Sequence, residues 1–376
     1  MIKLQGSSNE NFVVLGLGRS GMTSAHALNA SGANVICWDD DPKKRSLASS
    51  QGLRVIGSVP DFDWESIDRL IISPGVPHHF PVPHPIVSAA VSAGVLIDND
   101  VGLFFQSIAT KSWNKFSVRP RIVAVTGSNG KSTTASLLHH IFSELGYKSQ
   151  LAGNIGRGVL DIDPPENNEL IVLELSSYQT EVARILSPDL AIFTNFSADH
   201  LERHGGIGGY LAAKRRLFTE GCPDYSIIGV DELAGLNLAQ QLSASIGDES
   251  IIRVSATKQM RRFDWSIFLD AGYLVEHRNG NQINSIDLKV FDNFVGLHSY
   301  QNAASAYAAC RALGLSPRKI IEAMKGFDGL AHRSQKIAMF NGITFINDSK
   351  ATNVESAMMS LNAYENIRWI CGGQQK

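Results

Sequence analysis

The residues with the clearest chemical potential form a glycine-rich loop within AVTGSNGKSTT, residues 124–134. Such a loop lets backbone N–H groups face an anion, while its lysine supplies charge and its hydroxyls can reach a metal ion. A Walker A loop has its first glycine five residues before the second, but Val125 occupies that position here. Gly-Lys-Ser between an apolar strand and a helix still predicts a nucleoside triphosphate site. Its predicted ATP-binding residues are Gly127, Asn129, Gly130, Lys131, Ser132 and Thr133.

Downstream side chains are candidates for a magnesium site. Glu174 lies near the carboxyl end of the apolar stretch LIVLEL, where open α/β sheets bind ligands and where a buried carboxylate needs a partner. The segment TNFSADHLERHG supplies Asp199, His200 and His204. The two histidines are four residues apart and could share a helix face, but Leu201 stands where a zinc protease carries glutamate. We therefore expect Mg²⁺, which prefers oxygen ligands.

A second glycine loop, GLGRSG at residues 16–21, follows a strand-like run and opens a helix-like one. Asp39 and Asp40 follow roughly 20 residues later, as in dinucleotide-binding proteins. The glycines and the helix N-terminus would accept any nucleoside diphosphate, including a UDP-sugar. Both NAD and a UDP-linked ligand stay open at this point. Two nucleotide-type loops argue against a simple dehydrogenase, since hydride transfer needs no triphosphate.

Composition excludes several classes of function. The chain is 44% hydrophobic with a net charge of −2, which disfavours electrostatic binding to nucleic acid or to an anionic membrane. No apolar run approaches the ~18 residues of a membrane span, and the N-terminus lacks the pattern of a signal peptide. The four scattered cysteines predict neither a disulfide scaffold nor a zinc site. We expect a cytoplasmic protein.

Alternating apolar strands and helical patterns predict an α/β fold with mostly parallel sheets. The pattern restarts after the polar stretch 109–121 and changes again near residue 330, so we predict domains at 1–118, 119–329 and 330–376. LRVIG at 53–57 and IRWICGG at 367–373 are among the predicted strands. The last domain is expected to be incomplete, because about 45 residues fall short of the usual ~50-residue minimum.

Seven motifs in order resemble the Mur ligase family: TGSNGKST, ELSSYQ, NFSADHLERHG, GYLAAKRRLF, GLHSYQNAASAYAA, HR at 332–333 and NDSKATN at 347–353. The last motif is similar to the branch of the family that adds D-glutamate. The resemblance implies a Rossmann-like N-terminal domain, a central P-loop-like ATPase α/β domain and a partial Rossmann-like C-terminal domain. It also implies ATP-dependent amide formation between UDP-N-acetylmuramoyl-L-alanine and D-glutamate, through an acyl phosphate.

The resemblance further implies roles for individual residues. Lys214 would be a carbamylated lysine and would act with His200 and Lys350 in catalysis. Two Mg²⁺ ions would be held by Ser132, Glu174, His200 and Lys214. The ATP site would be completed by Asn302, Arg333 and Asp348. The substrate site would comprise Gly18, Arg19, Ser20, Asp39, Ser73, Pro74, Gly75, Asn154, Ser177, Gln179, Thr352 and Lys376.

Two positions depart from the family pattern. Ser299 stands where the family commonly has asparagine, and Gly102 stands where it commonly has an acidic residue. We expect a monomer that acts on small molecules and has no nucleic-acid or membrane partner. Two alternatives stay open: a fragment that binds UDP-muramoyl substrate and ATP without joining them, and an NAD-dependent oxidoreductase.

Overall fold

The computed structural model describes residues 1–56, 62–109, 115–291 and 294–373. Part of the predicted linker at 109–121 therefore lies outside the described residues, as does Lys376. Within the described ranges no helix is both long enough and apolar enough to cross a membrane. The elements of these described ranges form three sheets, with four, nine and two strands. The predicted domain limits at 118 and 329 stay predictions.

The first sheet is wholly parallel, with strand order β2-β1-β3-β4. Its strands are β1 (Asn11–Leu15), β2 (Asn34–Trp38), β3 (Arg69–Ile72) and β4 (Leu96–Asp98). The chain leads from β1 to β2 on one side of the sheet and from β3 to β4 on the other. The strand order therefore reverses between β1 and β3, which opens a crevice at their carboxyl ends. The helices of this region are α1 (Arg19–Ala30), α2 (Pro42–Ser50), α3 (Pro85–Ser92) and α4 (Asp100–Ala109).

The second sheet is mixed, with order β13-β12-β11-β10-β9-β8-β5-β7-β6. Only the pairs at the β13 end are antiparallel. Its strands are β5 (Arg121–Thr126), β6 (Ser149–Gly153), β7 (Leu170–Glu174), β8 (Leu190–Phe193), β9 (Tyr225–Gly229), β10 (Ile251–Ser255), β11 (Trp265–Asp270), β12 (Tyr273–Arg278) and β13 (Asn281–Asp287). The helices of this region are α5 (Lys131–Glu144), α6 (Ser177–Val182), α7 (Ile207–Thr219), α8 (Leu233–Ile246), α9 (Leu297–Ala312) and α10 (Pro317–Lys325).

The core of the molecule surrounds the middle of this nine-stranded sheet. Strands β7 and β8 are buried at every residue, and β5 is buried after its first residue. Both faces of a parallel strand are covered by helices, so such strands read as continuous apolar runs. This is why IVAVT, LIVLE and LAIF could be recognised as strands from the sequence.

The C-terminal region begins with an antiparallel hairpin and not with a parallel pair. It consists of β14 (Gln335–Phe340) and β15 (Ile343–Asn347), followed by α11 (Val354–Leu361). The predicted strand at 367–373 is wrong, because no neighbouring strand within the described residues pairs with it. The prediction for 53–57 is also wrong as a strand: its described part makes one isolated bridge, between Val55 and Cys37.

The departure at Gly102 has a steric explanation. A Cβ atom at Gly102 would overlap the carboxylate of Asp98, which lies one turn earlier at the end of β4. Asp98 is fixed there because its Oδ1 accepts hydrogen bonds from the backbone N–H of Asn99 (2.9 Å) and of Arg184 (3.1 Å). Arg69 Nη1 lies 3.9 Å from the other carboxylate oxygen. A side chain at position 102 would have to displace this buried carboxylate.

The titration of Asp98 yields a prediction for stability. Burial raises its pKa from 3.8 to about 6, although the hydrogen bonds from Arg184 and Asn99 oppose the shift. Because the folded chain then binds the proton more tightly than the unfolded chain, this contribution to stability falls as the pH rises from about 4 to about 6. Asp98→Asn has no carboxyl group at this position, so its stability does not fall with rising pH for this reason. Its free energy of unfolding, relative to the wild type, should improve by about 1–3 kcal/mol between pH 4 and pH 7.5.

Urea denaturation of both proteins at the two pH values measures this change. Glu249→Gln, at an exposed carboxyl of the loop before β10, is the matched control. A difference in unfolding free energy between Asp98→Asn and the wild type that does not vary with pH would contradict the prediction.

Candidate active site

The shortened phosphate loop lies at the carboxyl ends of the neighbouring strands β5 and β8. This is the point at which the strand order of the nine-stranded sheet reverses, where α/β sheets bind ligands. Two of its glycines have positive φ angles, +136° at Gly127 and +79° at Gly130. A Cβ at Gly127 would overlap the hydroxyl of Thr194, and a Cβ at Gly130 would overlap the side-chain amide of Asn302. Both positions therefore require glycine, as the nucleotide-loop interpretation predicts.

The loop is held by side chains from the neighbouring strand. Asn195, just after β8, contacts both backbone groups of Asn129: its Oδ1 accepts the N–H at 2.8 Å and its Nδ2 donates to the carbonyl at 3.1 Å. The hydroxyl of Thr194 donates to the same carbonyl at 2.7 Å. Gln301 Oε1 lies 3.5 Å from the Asn195 amide, and Gln301 is itself fixed by donating to Asp231 at 2.8 Å. We call Thr194 and Asn195 the loop clamp.

Two buried lysine amines lie beneath this loop. Lys214 is 1% exposed, and its ammonium donates to the carbonyl of Gly127 at 2.7 Å and lies 4.4 Å from the ring centre of Tyr210. Burial, followed by the nearby charge of Lys131, holds the pKa of Lys214 well below its ordinary value. The ammonium of Lys131 donates to the carbonyl of Ser128 at 2.7 Å, and burial also lowers its pKa.

The carboxylate of Glu174 fits a magnesium ligand. The side chain is 1% exposed, and its Oε1 accepts a hydrogen bond from Asn154 at 3.0 Å. Its Oε2 is buried and accepts no hydrogen bond from any described residue, which is costly unless a cation or donor binds there. The described residues hold no group of three or more His, Cys, Asp and Glu side chains able to bind a metal. An ion here would therefore depend on nucleotide phosphates and waters, as Mg²⁺ commonly does.

The two histidines of NFSADHLERHG do not share a helix face. The residues between them, Leu201–Arg203, form one turn of 3₁₀ helix, and His200 before it has a φ of +52°. His200 is 41% exposed, and its Nε2 lies 3.5 Å from Asp199. His204 is fully buried and bonded through Nε2 to the hydroxyl of Ser177 at 2.9 Å. His200 is therefore accessible as a candidate metal ligand, whereas His204 is an internal hydrogen-bonding residue.

A cleft of about 740 Å³ joins the loop to the C-terminal hairpin. Arg333 donates to the hydroxyl of Ser132 at 3.0 Å, and Asn353 donates to the Asn129 side chain at 3.2 Å. The cleft brings together many of the residues predicted from the sequence, although they are distant along the chain. Those lining it are Asn129, Gly130, Lys131, Ser132, Thr133, Asn154, Glu174, Asn302, Arg333, Asp348, Lys350 and Thr352, and the departure Ser299 lines it too.

Other predicted residues lie outside the lining of this cleft, among them Gly127, His200 and Lys214. Ser177 and Gln179 also do not line it. Both are buried, and the Gln179 amide oxygen accepts from the backbone N–H of Ser176 at 3.1 Å, as part of the cap of α6. Their assignment to the substrate site stays a prediction.

The residues predicted around the first glycine loop lie near the crevice of the four-stranded sheet. Asp39 Oδ2 accepts from the backbone N–H of Leu17 at 2.6 Å, and the Ser73 hydroxyl donates to the carbonyl of Gly16 at 2.7 Å. Arg19 donates to the carbonyls at the end of β6, including that of Gly153 at 2.9 Å. These side chains shape and anchor the loop. Gly18, Ser20, Pro74 and Gly75 belong to the same two segments.

Sequence reasoning missed Asn195 and Asn353 as parts of the site. Each had a signal: Asn195 directly follows the strand-like run LAIFT, and Asn353 ends the motif NDSKATN. What the sequence cannot show is that both side chains converge on Asn129, because that contact depends on the strand order of the sheet and on the path of the C-terminal hairpin.

The fold and the phosphate loop define a nucleotide-binding α/β enzyme. Residues 125–310 match the family described as the Mur ligase middle domain. UDP-N-acetylmuramate-alanine ligase of Thermotoga maritima has a similar fold, with 21% identity, a TM-score of 0.53, and coverage of 94% of this chain and 77% of that one. MurF of Acinetobacter baumannii is similar with 17% identity, a TM-score of 0.54, and coverage of 96% and 69%.

Relatives identified by sequence identity define the group within the family. UDP-N-acetylmuramoylalanine–D-glutamate ligase of Ruegeria pomeroyi is 55% identical over 376 residues, covering all of this chain and 81% of the relative. The protein of the same name from Jannaschia sp. is 54% identical over 364 residues, covering 97% of this chain and 79% of the relative. The chain belongs to the Mur ligase family, in its group of UDP-N-acetylmuramoylalanine–D-glutamate ligases. Mur ligases are ATP-dependent enzymes that form C–N bonds and require Mg²⁺. The resemblance drawn from the motifs is thus confirmed.

The loop clamp predicts how strongly ATP binds. Asn195→Ala removes two hydrogen bonds to Asn129, each worth about 1 kcal/mol, so the Kd for ATP should rise about 10- to 30-fold. Asn195→Asp should also weaken binding, because its second oxygen would face the carbonyl of Asn129. Nucleotide titration by calorimetry measures both. Asn237→Ala, on the exposed side of α8, is the control, and a Kd for Asn195→Ala within twofold of the wild type would contradict the clamp.

Proposed function

We propose that this protein uses ATP to join D-glutamate to UDP-N-acetylmuramoyl-L-alanine. The observation that carries the proposal is the cleft in which the phosphate loop faces Lys350 and Thr352 of NDSKATN. High identity to ligases named for these two substrates supports the same conclusion. Addition of D-glutamate to this nucleotide-linked substrate is a step in building peptidoglycan precursors.

The reaction must convert an unreactive carboxylate into an electrophile. An oxygen of the alanyl carboxylate attacks the γ-phosphorus of ATP, the bond to ADP breaks, and an acyl phosphate forms. The amine of D-glutamate then attacks the acyl carbon, giving a tetrahedral intermediate that expels phosphate and leaves an amide. The amine loses a proton in this step. The first step brings two anions together, so the protein's main task is to neutralise charge.

The positive groups of the cleft suit that task. Lys131 and Arg333 lie at the phosphate loop, one on the loop itself and one bonded to Ser132. Burial makes an unpaired ammonium unfavourable, as the lowered pKa of Lys131 records. A triphosphate would supply the missing negative charge, so nucleotide binding and charging of the lysine favour each other. We propose that Lys350 faces the reacting carboxylate and that Asn302 contacts the adenine.

The metal site follows from the same charges. We propose that Ser132, Glu174 and His200 hold Mg²⁺ and that two ions take part. Bound Mg²⁺ would neutralise phosphate oxygens as a Lewis acid. The buried Oε2 of Glu174, to which no described residue hydrogen-bonds, supports this assignment because it keeps a free lone pair beside the cleft that would hold the nucleotide.

We further propose that Lys214 is carbamylated. Its amine nitrogen would attack CO₂, forming an N–C bond with loss of a proton, and this requires the neutral amine. The strongly lowered pKa supports it, since burial and the charge of Lys131 favour the neutral form. The product would be a carboxylate, which replaces a buried cation by a candidate metal ligand and relieves the repulsion between the two lysines.

The remaining expectations concern the setting. We propose a cytoplasmic monomer that acts only on small molecules. The support is indirect: Cys37, Cys222, Cys310 and Cys371 are free thiols, which suits a reducing compartment, and the net charge of −2 offers no general attraction to nucleic acid.

Phosphate release with and without D-glutamate tests the proposed function. The wild type with ATP, Mg²⁺ and UDP-N-acetylmuramoyl-L-alanine should release phosphate in proportion to D-glutamate, and mass measurement should show the amide product. Binding of both nucleotides without glutamate-dependent release would instead identify a binding fragment. Tight NADH binding to the 16–21 loop, with no affinity for the UDP-linked substrate, would identify an oxidoreductase.

Lys214→Ala should lower the turnover number for phosphate release by about 100-fold or more, because the site loses a group that stabilises charge in the transition state. Lys148→Ala is the matched control, since Lys148 forms only an exposed ion pair with Glu166 and should leave turnover unchanged. Unchanged turnover in Lys214→Ala would remove the lysine from the catalytic machinery.

A further inference from the structure

The two regions that carry the two glycine loops are joined by an arginine. Arg203, in the turn after His200, donates from Nη1 to the carbonyl of Gly75 at 3.2 Å and from Nη2 to the carbonyl of Val76 at 3.1 Å. Its guanidinium carbon lies 4.9 Å from the ring centre of Tyr178. One planar group thus binds two successive carbonyls while stacking on an aromatic ring, a geometry that lysine cannot reproduce.

The carbonyls that Arg203 binds belong to a turn tied to the first glycine loop. The N–H of Val76 donates back to the carbonyl of Ser73 at 2.9 Å. Ser73 in turn donates through its hydroxyl to Gly16 at 2.7 Å and through its N–H to Leu15 at 3.0 Å. If the Arg203 contact moved, these hydrogen bonds would therefore also move the loop that we assign to the UDP-linked substrate.

The same guanidinium group connects Arg203, through Tyr178, to the candidate metal site. The ring of Tyr178, on which it stacks, lies 5.5 Å from the ring of His200 and 5.1 Å from that of His204, between ring centres. Tyr178 belongs to α6, which begins shortly after Glu174 at the end of β7. Arg203 thus lies in the turn that follows His200 and, through Tyr178, contacts the helix that follows Glu174. His200 and Glu174 are two of the three proposed magnesium ligands.

Two further contacts bring the same segments together. The ring of Phe80 packs against Gly205, so closely that a Cβ there would lie 2.7 Å from a ring carbon. His78 Nε2 lies 3.7 Å from the carboxylate of Glu181 on α6. Burial lowers the pKa of His78 to about 4, so this contact at neutral pH involves an uncharged ring. Among the described residues, Arg203 makes the directional hydrogen bonds between these two segments, and these bonds fix how the segments align.

We propose that Arg203 is a positioning residue that fixes the turn Ser73–Val76 of the UDP-substrate site relative to His200 and Glu174. This inference rests on the proposed function, because it takes that turn as part of the UDP-muramoyl site. Arg203 touches neither substrate nor nucleotide in this role. It sets how far the bound sugar's alanyl carboxylate lies from the γ-phosphate, which is a distance that catalysis tolerates poorly.

Calorimetric titration of two ligands tests the proposal, using UDP-N-acetylmuramoyl-L-alanine and ATP. In Arg203→Ala the Kd for the UDP-linked ligand should rise about tenfold or more, since two hydrogen bonds from a charged group are lost. The Kd for ATP should stay within twofold of the wild type. Arg203→Lys should give a smaller rise of about threefold or more, because a lysine can reach only one carbonyl. Glu202→Ala, the exposed neighbour in the same turn, should leave both constants unchanged.

The turnover number shows whether Arg203 sets the reacting distance or only holds the two segments together. If Arg203 sets the reacting distance, the turnover number at saturating substrate also falls in Arg203→Ala and is partly restored in Arg203→Lys. Equal weakening of ATP and the UDP-linked ligand, with a lowered melting temperature, would show a purely structural role and overturn the proposal. Unchanged affinity and turnover in both variants would overturn it as well.

Failure of the proposed function gives a different result. A wild type that binds the UDP-linked ligand but releases no glutamate-dependent phosphate contradicts the ligase activity, while the titrations still test Arg203. If Arg203→Ala does not fold at the assay temperature, Arg203→Lys alone decides, and wild-type affinity and turnover in that variant reject the proposal.

Discussion

The structure depends on a concentration of buried charge at the carboxyl end of the nine-stranded sheet. Burial lowers the pKa of both Lys131 and Lys214, and the charge of Lys131 lowers that of Lys214 further, while the carboxylates of Glu174 and Asp199 partly offset these shifts. Charges removed from water are costly unless they are paired. Here the pairing is incomplete, since one oxygen of Glu174 lacks a hydrogen-bond partner. A bound triphosphate and a divalent cation would complete this pairing. The same charge pairing would therefore favour ligand binding and stabilise the buried side chains of the site.

The same constraint explains why a shortened phosphate loop suffices. A longer Walker A loop wraps the phosphates with its own backbone, whereas here Thr194 and Asn195 hold Asn129 from the adjacent strand. The C-terminal hairpin closes the other side through Arg333 and Asn353. The central and C-terminal regions thus supply the two sides of the cleft. The first region contacts the central one through several hydrogen bonds, among them those of Arg203 to Gly75 and Val76 and that of Arg19 to Gly153.

Much of this could be predicted from the sequence, for physical reasons. Buried parallel strands read as apolar runs, so the α/β fold with mostly parallel sheets was predicted correctly. Glycines are required where the backbone has positive φ, and this is why Gly127 and Gly130 could be singled out from the sequence. The strand at 367–373 was wrong because an apolar run does not specify a pairing partner. The spacing of the two histidines allowed a shared helix face, but they flank a 3₁₀ turn, because spacing alone does not distinguish an α-helix from a 3₁₀ turn. The contacts of Asn195 and Arg203 depend on strand order and on packing between regions, which local patterns do not encode.

Isotope transfer tests the central claim most directly, namely that this cleft joins ATP to a carboxylate before the amine attacks. The alanyl carboxylate of the UDP-linked substrate is labelled with ¹⁸O, and the phosphate released in the presence of D-glutamate is analysed by mass spectrometry. An acyl phosphate intermediate transfers one labelled oxygen from the carboxylate to each phosphate. Phosphate that carries no label, with both labelled oxygens kept in the unreacted substrate, would show that ATP is hydrolysed by water and would contradict the account.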